Sequence, residues 1–179
     1  MSLINRRNFL KNSSLSLTAL SMSPSLLSAE KNKQELFKLS LAQWSLHRML
    51  KSGELNNLNF PKYTKETFGI DAVEYVNGFF PNTKSSYIKG LKQRCDDQGV
   101  KSLLIMCNGL GHIGDKNATK RKQTVENHKP WLESAQHLGC HSIRVNARSM
   151  GTEQEQTEYC IDGLKKLCTV AKQYGINII

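Results

Sequence analysis

The stretch Gly99–Gly114, GVKSLLIMCNGLGHIG, decides the fold. A glycine opens it, an apolar run from Val100 to Cys107 follows, and the chain then breaks into a polar, glycine-rich loop. Apolar runs of this length bounded by glycines are strands buried on both faces of a sheet. The loop holds Gly109-x-Gly111-x-x-Gly114, which is the text of a dinucleotide-binding fingerprint. That fingerprint works only where its glycines open a helix, so that a pyrophosphate sits on the helix N-terminus. Here helical periodicity resumes only near Lys120, after Asp115-Lys116-Asn117, and the strand is not the first of the chain. The stretch is therefore expected to deliver Asn108 and His112 to a loop at the C-terminal end of a strand, where parallel α/β folds build their sites.

The same pattern recurs on either side. Phe68-Gly69-Ile70 leads into Ala72–Val76, Leu138-Gly139-Cys140 into Ser142–Val145, and Tyr174-Gly175-Ile176 into Asn177–Ile179. Each glycine stands where a helix C-cap takes a left-handed residue, and each is followed by a short β-rich run. Helical faces precede the last three strands: Ile88, Leu91 and Cys95; then Val125, His128, Leu132 and Ala135; then Cys160, Leu164, Leu167, Cys168 and Ala171. Lys38–Leu46 is the expected first strand, with Trp44 packed in the core and His47 and Arg48 at its end. Lys51–Asn59 is expected to be a loop. A short helix opens at Phe60-Pro61, where proline's missing N–H costs nothing, and ends at Phe68.

Strand–helix alternation without hairpin signals means a parallel sheet with right-handed crossovers. About five strands and four helices are expected. A closed barrel of eight such units takes about 250 residues, and the sequence reaches Ile179 inside an apolar run. The expected fold is α/β, the N-terminal part of a (β/α)8 TIM barrel; the alternative is an open parallel α/β sheet.

Composition narrows the function classes. The formal net charge is +10, but the lysines are scattered, and no basic run is interleaved with aromatics, so no nucleic-acid partner is expected. Lys120-Arg121-Lys122 is the one tight basic cluster and is expected to be a solvated helix face. The five cysteines show no C-x-x-C pair, which argues against a zinc knuckle or redox motif and for buried free thiols. Residues 1–29 carry no acidic residue. Asn5-Arg6-Arg7-Asn8-Phe9-Leu10-Lys11 resembles the twin-arginine export motif, and Leu15–Leu27 is too short and polar for a stable transmembrane helix. The expectation is a signal peptide over 1–29, transient contact with the twin-arginine machinery, no stable membrane anchor, and a periplasmic or otherwise exported domain over 30–179. A disordered basic tail is the alternative.

Phe60-Pro61-Lys62-Tyr63 through Phe68-Gly69-Ile70-Asp71-Ala72-Val73-Glu74-Tyr75 resembles the xylose-isomerase-like, sugar phosphate isomerase/epimerase superfamily. Gly139–Asn146 resembles its fourth strand and Tyr174–Ile179 its fifth. The resemblance implies metal-assisted proton or hydride transfer on a sugar or sugar phosphate. It also implies a divalent metal (Mn, Mg or Zn) held at the ends of strands five to eight. The first such ligand follows strand five, beyond Ile179, so no metal ligand is placed in this sequence, and the 179 residues alone are expected to be an inactive part of the enzyme.

The first four strands can then supply only groups that orient a substrate. His47, Glu74, Asn77, Asn108, His112, Arg144 and Asn146 are the candidates, with Arg148 close by. Arg144 and Asn146 alternate with Ile143 and Val145, as polar residues lining a barrel interior do. An ion pair between Glu74 and Arg144 is the structural alternative for both. Two further functions stay open: an endonuclease-IV-like metal-dependent hydrolase, and a non-enzymatic sugar-binding module.

Overall fold

The computed structural model describes residues 37–179, and the export motif read on residues 1–29 lies outside them. Leu39–Ile179 forms one compact unit. In chain order it runs β1 (Leu41–Ala42), a 3-10 turn (Gln43–Leu46), α1 (His47–Ser52), α2 (Phe60–Phe68), β2 (Ala72–Val76), a 3-10 turn (Asn77–Phe79), α3 (Ser85–Asp97), β3 (Lys101–Cys107), α4 (Ala118–Leu138), β4 (Ser142–Val145), α5 (Glu153–Lys172) and β5 (Asn177–Ile178). The four glycines of the sequence repeat, Gly69, Gly99, Gly139 and Gly175, all take positive φ.

The strands lie in the order β1-β2-β3-β4-β5, each parallel to the next. A doubly wound sheet reverses its order at a switch point. Here every crossover advances one strand in the same direction, and right-handed crossovers then put all connecting helices on one face. The sheet is an arc of a TIM barrel, as expected, and the open doubly wound alternative falls.

The register assigns the two faces. Val73, Tyr75, Ile105 and Ile143 are fully buried, on the face covered by Phe60 of α2, Leu91 of α3, Leu132 of α4 and Leu167 of α5. Phe60 meets Tyr75 edge-on at 6.2 Å between centroids. Side chains alternate along a strand, so Glu74, Leu104, Met106, Ser142 and Arg144 share the opposite, concave face. The register shifts between Val73 and Glu74, where β3 carries one extra residue, Leu103. That bulge keeps Glu74 in line with the concave residues of β3 and β4.

Five expectations are corrected. Only two residues of 38–46 are strand, because Gln43 leaves the ladder. Its buried amide donates to Asn57 Oδ1 (2.5 Å) and accepts the Val76 N–H (2.8 Å). Trp44 consequently stands 49% exposed instead of packing in the core. The expected loop from Lys51 begins as helix, since α1 runs to Ser52 and ends at Gly53 with φ +81°. In the basic cluster, Arg121 is buried, not solvated. It bonds Asp162 Oδ2 (2.8 Å) and the carbonyls of Asp115 (2.7 Å) and Lys116 (3.2 Å), tying the loop after β3 to α5. Finally, all five cysteines are free, but Cys160 and Cys168 are only half-buried. Among the described residues, no helix is long and apolar enough to cross a membrane.

Candidate functional site

Four of the seven expected site residues meet at the C-terminal ends of β2, β3 and β4. Asn77 opens the turn after β2 and is buried. Its Oδ1 accepts the Asn108 N–H and its Nδ2 donates to the Asn108 carbonyl, both at 2.9 Å. The side chain thus copies a strand's donor and acceptor and extends the β2–β3 ladder by one rung. Asn108 in turn accepts from Asn146 Nδ2 through its own Oδ1 (2.8 Å), and Asn146 Oδ1 accepts from Arg144 Nη2 (2.7 Å). Arg144 Nη1 closes the chain on Met106 Sδ (3.1 Å).

The amides and the guanidinium are held by one another, and each keeps donors to spare. Arg144 uses two of its five N–H groups within this chain of contacts. Such a wall can grip hydroxyl or anionic oxygens in a fixed orientation without taking or giving a proton.

Glu74 lies half-buried on the same concave face and accepts from Ser40 Oγ (2.6 Å). Among the described residues it forms no ion pair with Arg144, which turns to Asn146 and Met106 instead; the ion-pair alternative is set aside. His47 is not at the end of β1 but opens α1, beyond the 3-10 turn, stacked on Trp44 with centroids 4.9 Å apart and rings 17° from parallel. Phe79 lies 6.5 Å from the Trp44 ring, and Lys51 Nζ sits 5.3 Å from its centroid. This makes a half-exposed aromatic shelf beside the polar wall.

His112 is not brought into this group. It lies with Asp115, Lys120, Gln123, Thr124 and Asn127 in a separate polar cleft on the loop after β3. Arg148 is exposed, and its carbonyl accepts the Gly114 N–H (3.0 Å), which joins the loops after β3 and β4. Ser149 Oγ also donates to the Gly114 carbonyl (2.5 Å). Cys107 ends β3 next to Asn108, and burial pushes its thiol up to about 12, which favours the neutral form.

Three positioning residues escaped the sequence reading. Gln43 and Asn57 form a buried chain that continues from Asn57 Nδ2 to Tyr87 OH (2.9 Å). A lone glutamine in an apolar run was its only signal. Gly163, inside α5, lets that helix touch the loop after β3: a Cβ there would lie 1.9 Å from the Ile113 carbonyl oxygen. A glycine in mid-helix was a visible cue to such close packing.

A divalent metal does not fit these residues. Among the described residues, no three His, Cys, Asp or Glu side chains converge on a point that could hold one. The wall is built of neutral amides and a guanidinium, which repels a cation, with Glu74 as the one carboxylate.

A strand order of one through five on one winding, with polar residues gathered at the carboxyl ends, is the geometry of part of a (β/α)8 barrel seen at its C-terminal face. The family described as xylose isomerase-like TIM barrel matches residues 62–179, more than half of the chain. The chain belongs to that family. The xylose isomerase-like arc also resembles solved structures. The 3-keto-D-glucoside 4-epimerase YcjR of E. coli matches with a TM-score of 0.56 and 22% identity, over 69% of this chain and 49% of that one. The D-psicose 3-epimerase of Clostridium cellulolyticum H10, solved with D-tagatose, matches with a TM-score of 0.63 and 13% identity, over 79% and 51%. The IOLI protein, solved with a zinc atom, matches with a TM-score of 0.61 and 18% identity, over 79% and 50%. At such identities the likeness is one of fold, and the chain spans about half the length of these structures. No curated protein matches the sequence at a significant level.

Proposed function

We propose that this xylose isomerase-like arc is the substrate-orienting wall of a sugar isomerase or epimerase. The observation that carries the proposal is the continuous bond from Asn77 through Asn108 and Asn146 to Arg144, across the ends of three successive strands. Proton transfer next to a sugar carbonyl requires the hydroxyls to be held in one pose while the proton moves. Neutral amides suit that task, because they donate and accept without titrating. Arg144 adds a permanent positive charge for an oxygen that becomes negative, or for a phosphate. Two structural relatives, a 3-keto-D-glucoside 4-epimerase and a D-psicose 3-epimerase, support the choice of substrate class. The proposal assigns the described residues to binding and orientation. It assigns none of them to a metal or to the base that moves the proton.

The test uses the full chain. D-tagatose, D-fructose and their phosphates are titrated by ligand-observed NMR and calorimetry, with and without Mn2+, Mg2+ or Zn2+, and turnover is followed by 13C NMR. Binding that falls at least about tenfold in both Asn108→Ala and Arg144→Met, with the fold intact by circular dichroism, supports the proposal. Binding that is absent, or insensitive to both changes, refutes it.

Export is part of the same proposal and rests on the twin-arginine resemblance over 5–11. Fusion of residues 1–40 to a reporter, with Arg6-Arg7 changed to Lys-Lys as control, tests it.

A further inference from the structure

Beside the aromatic shelf lies a cavity of about 590 Å³, open to solvent, between α1, the loop 53–58 and the turn 78–81. That lies inside the range of small-molecule sites, about 300–1,000 Å³. Its walls are largely hydrocarbon and aromatic: Leu50, Leu55, Leu58, Phe79, Phe80 and Tyr87. Two residues belong to both cavity and shelf. Phe79 lines the cavity and faces Trp44, while Lys51 lines it and covers the Trp44 ring. Gly78 and Phe79, which line the cavity, follow Asn77 in one short turn, so that turn belongs to both the cavity and the polar wall.

The polar groups of the cavity narrow the occupant. Asn57 Oδ1 accepts from Gln43, and its Nδ2 donates to Tyr87 OH. Gln43 Oε1 is taken by the Val76 N–H, and Asn56 Oδ1 by the Asn59 N–H (2.9 Å). The buried Gln43 and Asn57 amides are thus bonded within the protein before any ligand arrives, and the other polar side chains, Lys51 and Asn56, stand at the exposed rim. A second sugar ring entering here would leave several hydroxyls without partners, at a cost for each. An aryl or alkyl group would not. The buried Gln43–Asn57–Tyr87 chain also fixes the wall, so little ordering is needed on binding.

We propose that the cavity accepts an apolar aglycone, so that the substrate is a glycoside with an aromatic or aliphatic group rather than a free sugar. This rests on the sugar-binding assignment above and extends it to the substrate's other half. In the bound pose the sugar ring lies over the strand ends and the aglycone lies between Phe79 and Leu58.

The test compares 4-nitrophenyl β-D-glucopyranoside, methyl β-D-glucopyranoside and 4-nitrophenol on the full chain and on Gly78→Leu. Gly78 lines the cavity, a Cβ there meets nothing within 4 Å, and its φ is not positive, so the change fills space without straining the backbone. An unchanged thermal melt checks that the variant folds. The aryl glycoside is expected to bind about tenfold or more tighter than the methyl glycoside, since burying one ring is worth at least a decade in affinity. Gly78→Leu removes that advantage and leaves the methyl glycoside unaffected. Equal affinities of the two glycosides, or an aryl advantage that survives Gly78→Leu, overturn the cavity assignment and leave sugar binding standing. Binding of 4-nitrophenol that Gly78→Leu abolishes, with neither glycoside bound, upholds the cavity and overturns the sugar assignment.

Discussion

Replacing Gly163 by alanine tests how the loop after β3 is held. Gly163 lies in the middle of α5, where alanine would ordinarily stabilise the helix by about 1 kcal/mol. The added methyl, however, would lie 1.9 Å from the Ile113 carbonyl oxygen, 2.9 Å from its carbonyl carbon and 3.1 Å from Cγ1. The first two are backbone atoms, and Ile113 is fully buried, so neither side can rotate away. Overpacking costs roughly 1–3 kcal/mol, and an immovable partner puts this case near the top of that range. Subtracting the gain in helix propensity leaves a net loss of about 2 kcal/mol. Gly90 in α3 is the control, for it is exposed and a Cβ there meets nothing within 4 Å. Gly90→Ala should stabilise by about 1 kcal/mol, so the two variants should differ by about 3 kcal/mol. Urea unfolding followed by circular dichroism resolves this as midpoints about 1 M or more apart, at a typical slope of about 1–3 kcal/mol/M. Equal midpoints for the two variants would show that α5 and the loop are not in this contact, and the reasoning would fail.

Three further outcomes follow from single contacts. Burial holds the His128 imidazole below the usual histidine range, although its Nδ1 donates to the Thr124 carbonyl at 2.7 Å. The fold therefore prefers the neutral ring. Its contribution is complete above the unfolded value of about 6.5 and is lost as pH falls below that toward the folded value. Melting temperatures from pH 7.5 to 5 should decline less in His128→Leu than in the parent, and matching slopes would count against this account. Arg121→Met leaves two loop carbonyls without their partner and Asp162 with Lys166 alone, and should cost about 2 kcal/mol, discounted for the exposure of Asp162. A midpoint shift under a quarter of that would refute it. Asn77→Ala should expose the Asn108 amide to fast hydrogen exchange, whereas Asn77→Asp, which keeps the acceptor, should leave it protected. Unchanged exchange in the alanine variant would disprove the clamp.

The barrel arc was legible because its repeat is local. A glycine C-cap and a short apolar run recur four times, and both signals depend on a few adjacent residues. The polar wall was half legible. Alternation marked Arg144 and Asn146, and position after a strand marked Asn77 and Asn108. What sequence could not give was the pairing between them, which depends on register across three strands. His112 shows the limit of position alone: it follows β3 as Asn108 does, yet the loop carries it to a different cleft. The first strand failed for a physical reason. Leu41 and Trp44 look like the edge of a strand, but Gln43 finds better partners at Asn57 and Val76 than the ladder offers. Arg121 failed similarly, since a cluster of three basic residues reveals nothing about which one has carbonyls within reach.

The row of carboxamides at the strand ends has a consequence for acidity. Asparagine neither gains nor loses a proton in the working range of proteins, and a guanidinium stays charged throughout it. The surface proposed to orient the substrate therefore relies on carboxamides that offer the same donors and acceptors in acid as in base. Any bell-shaped activity profile measured for a protein bearing this surface therefore belongs to other groups, and affinity measured across pH separates the two contributions.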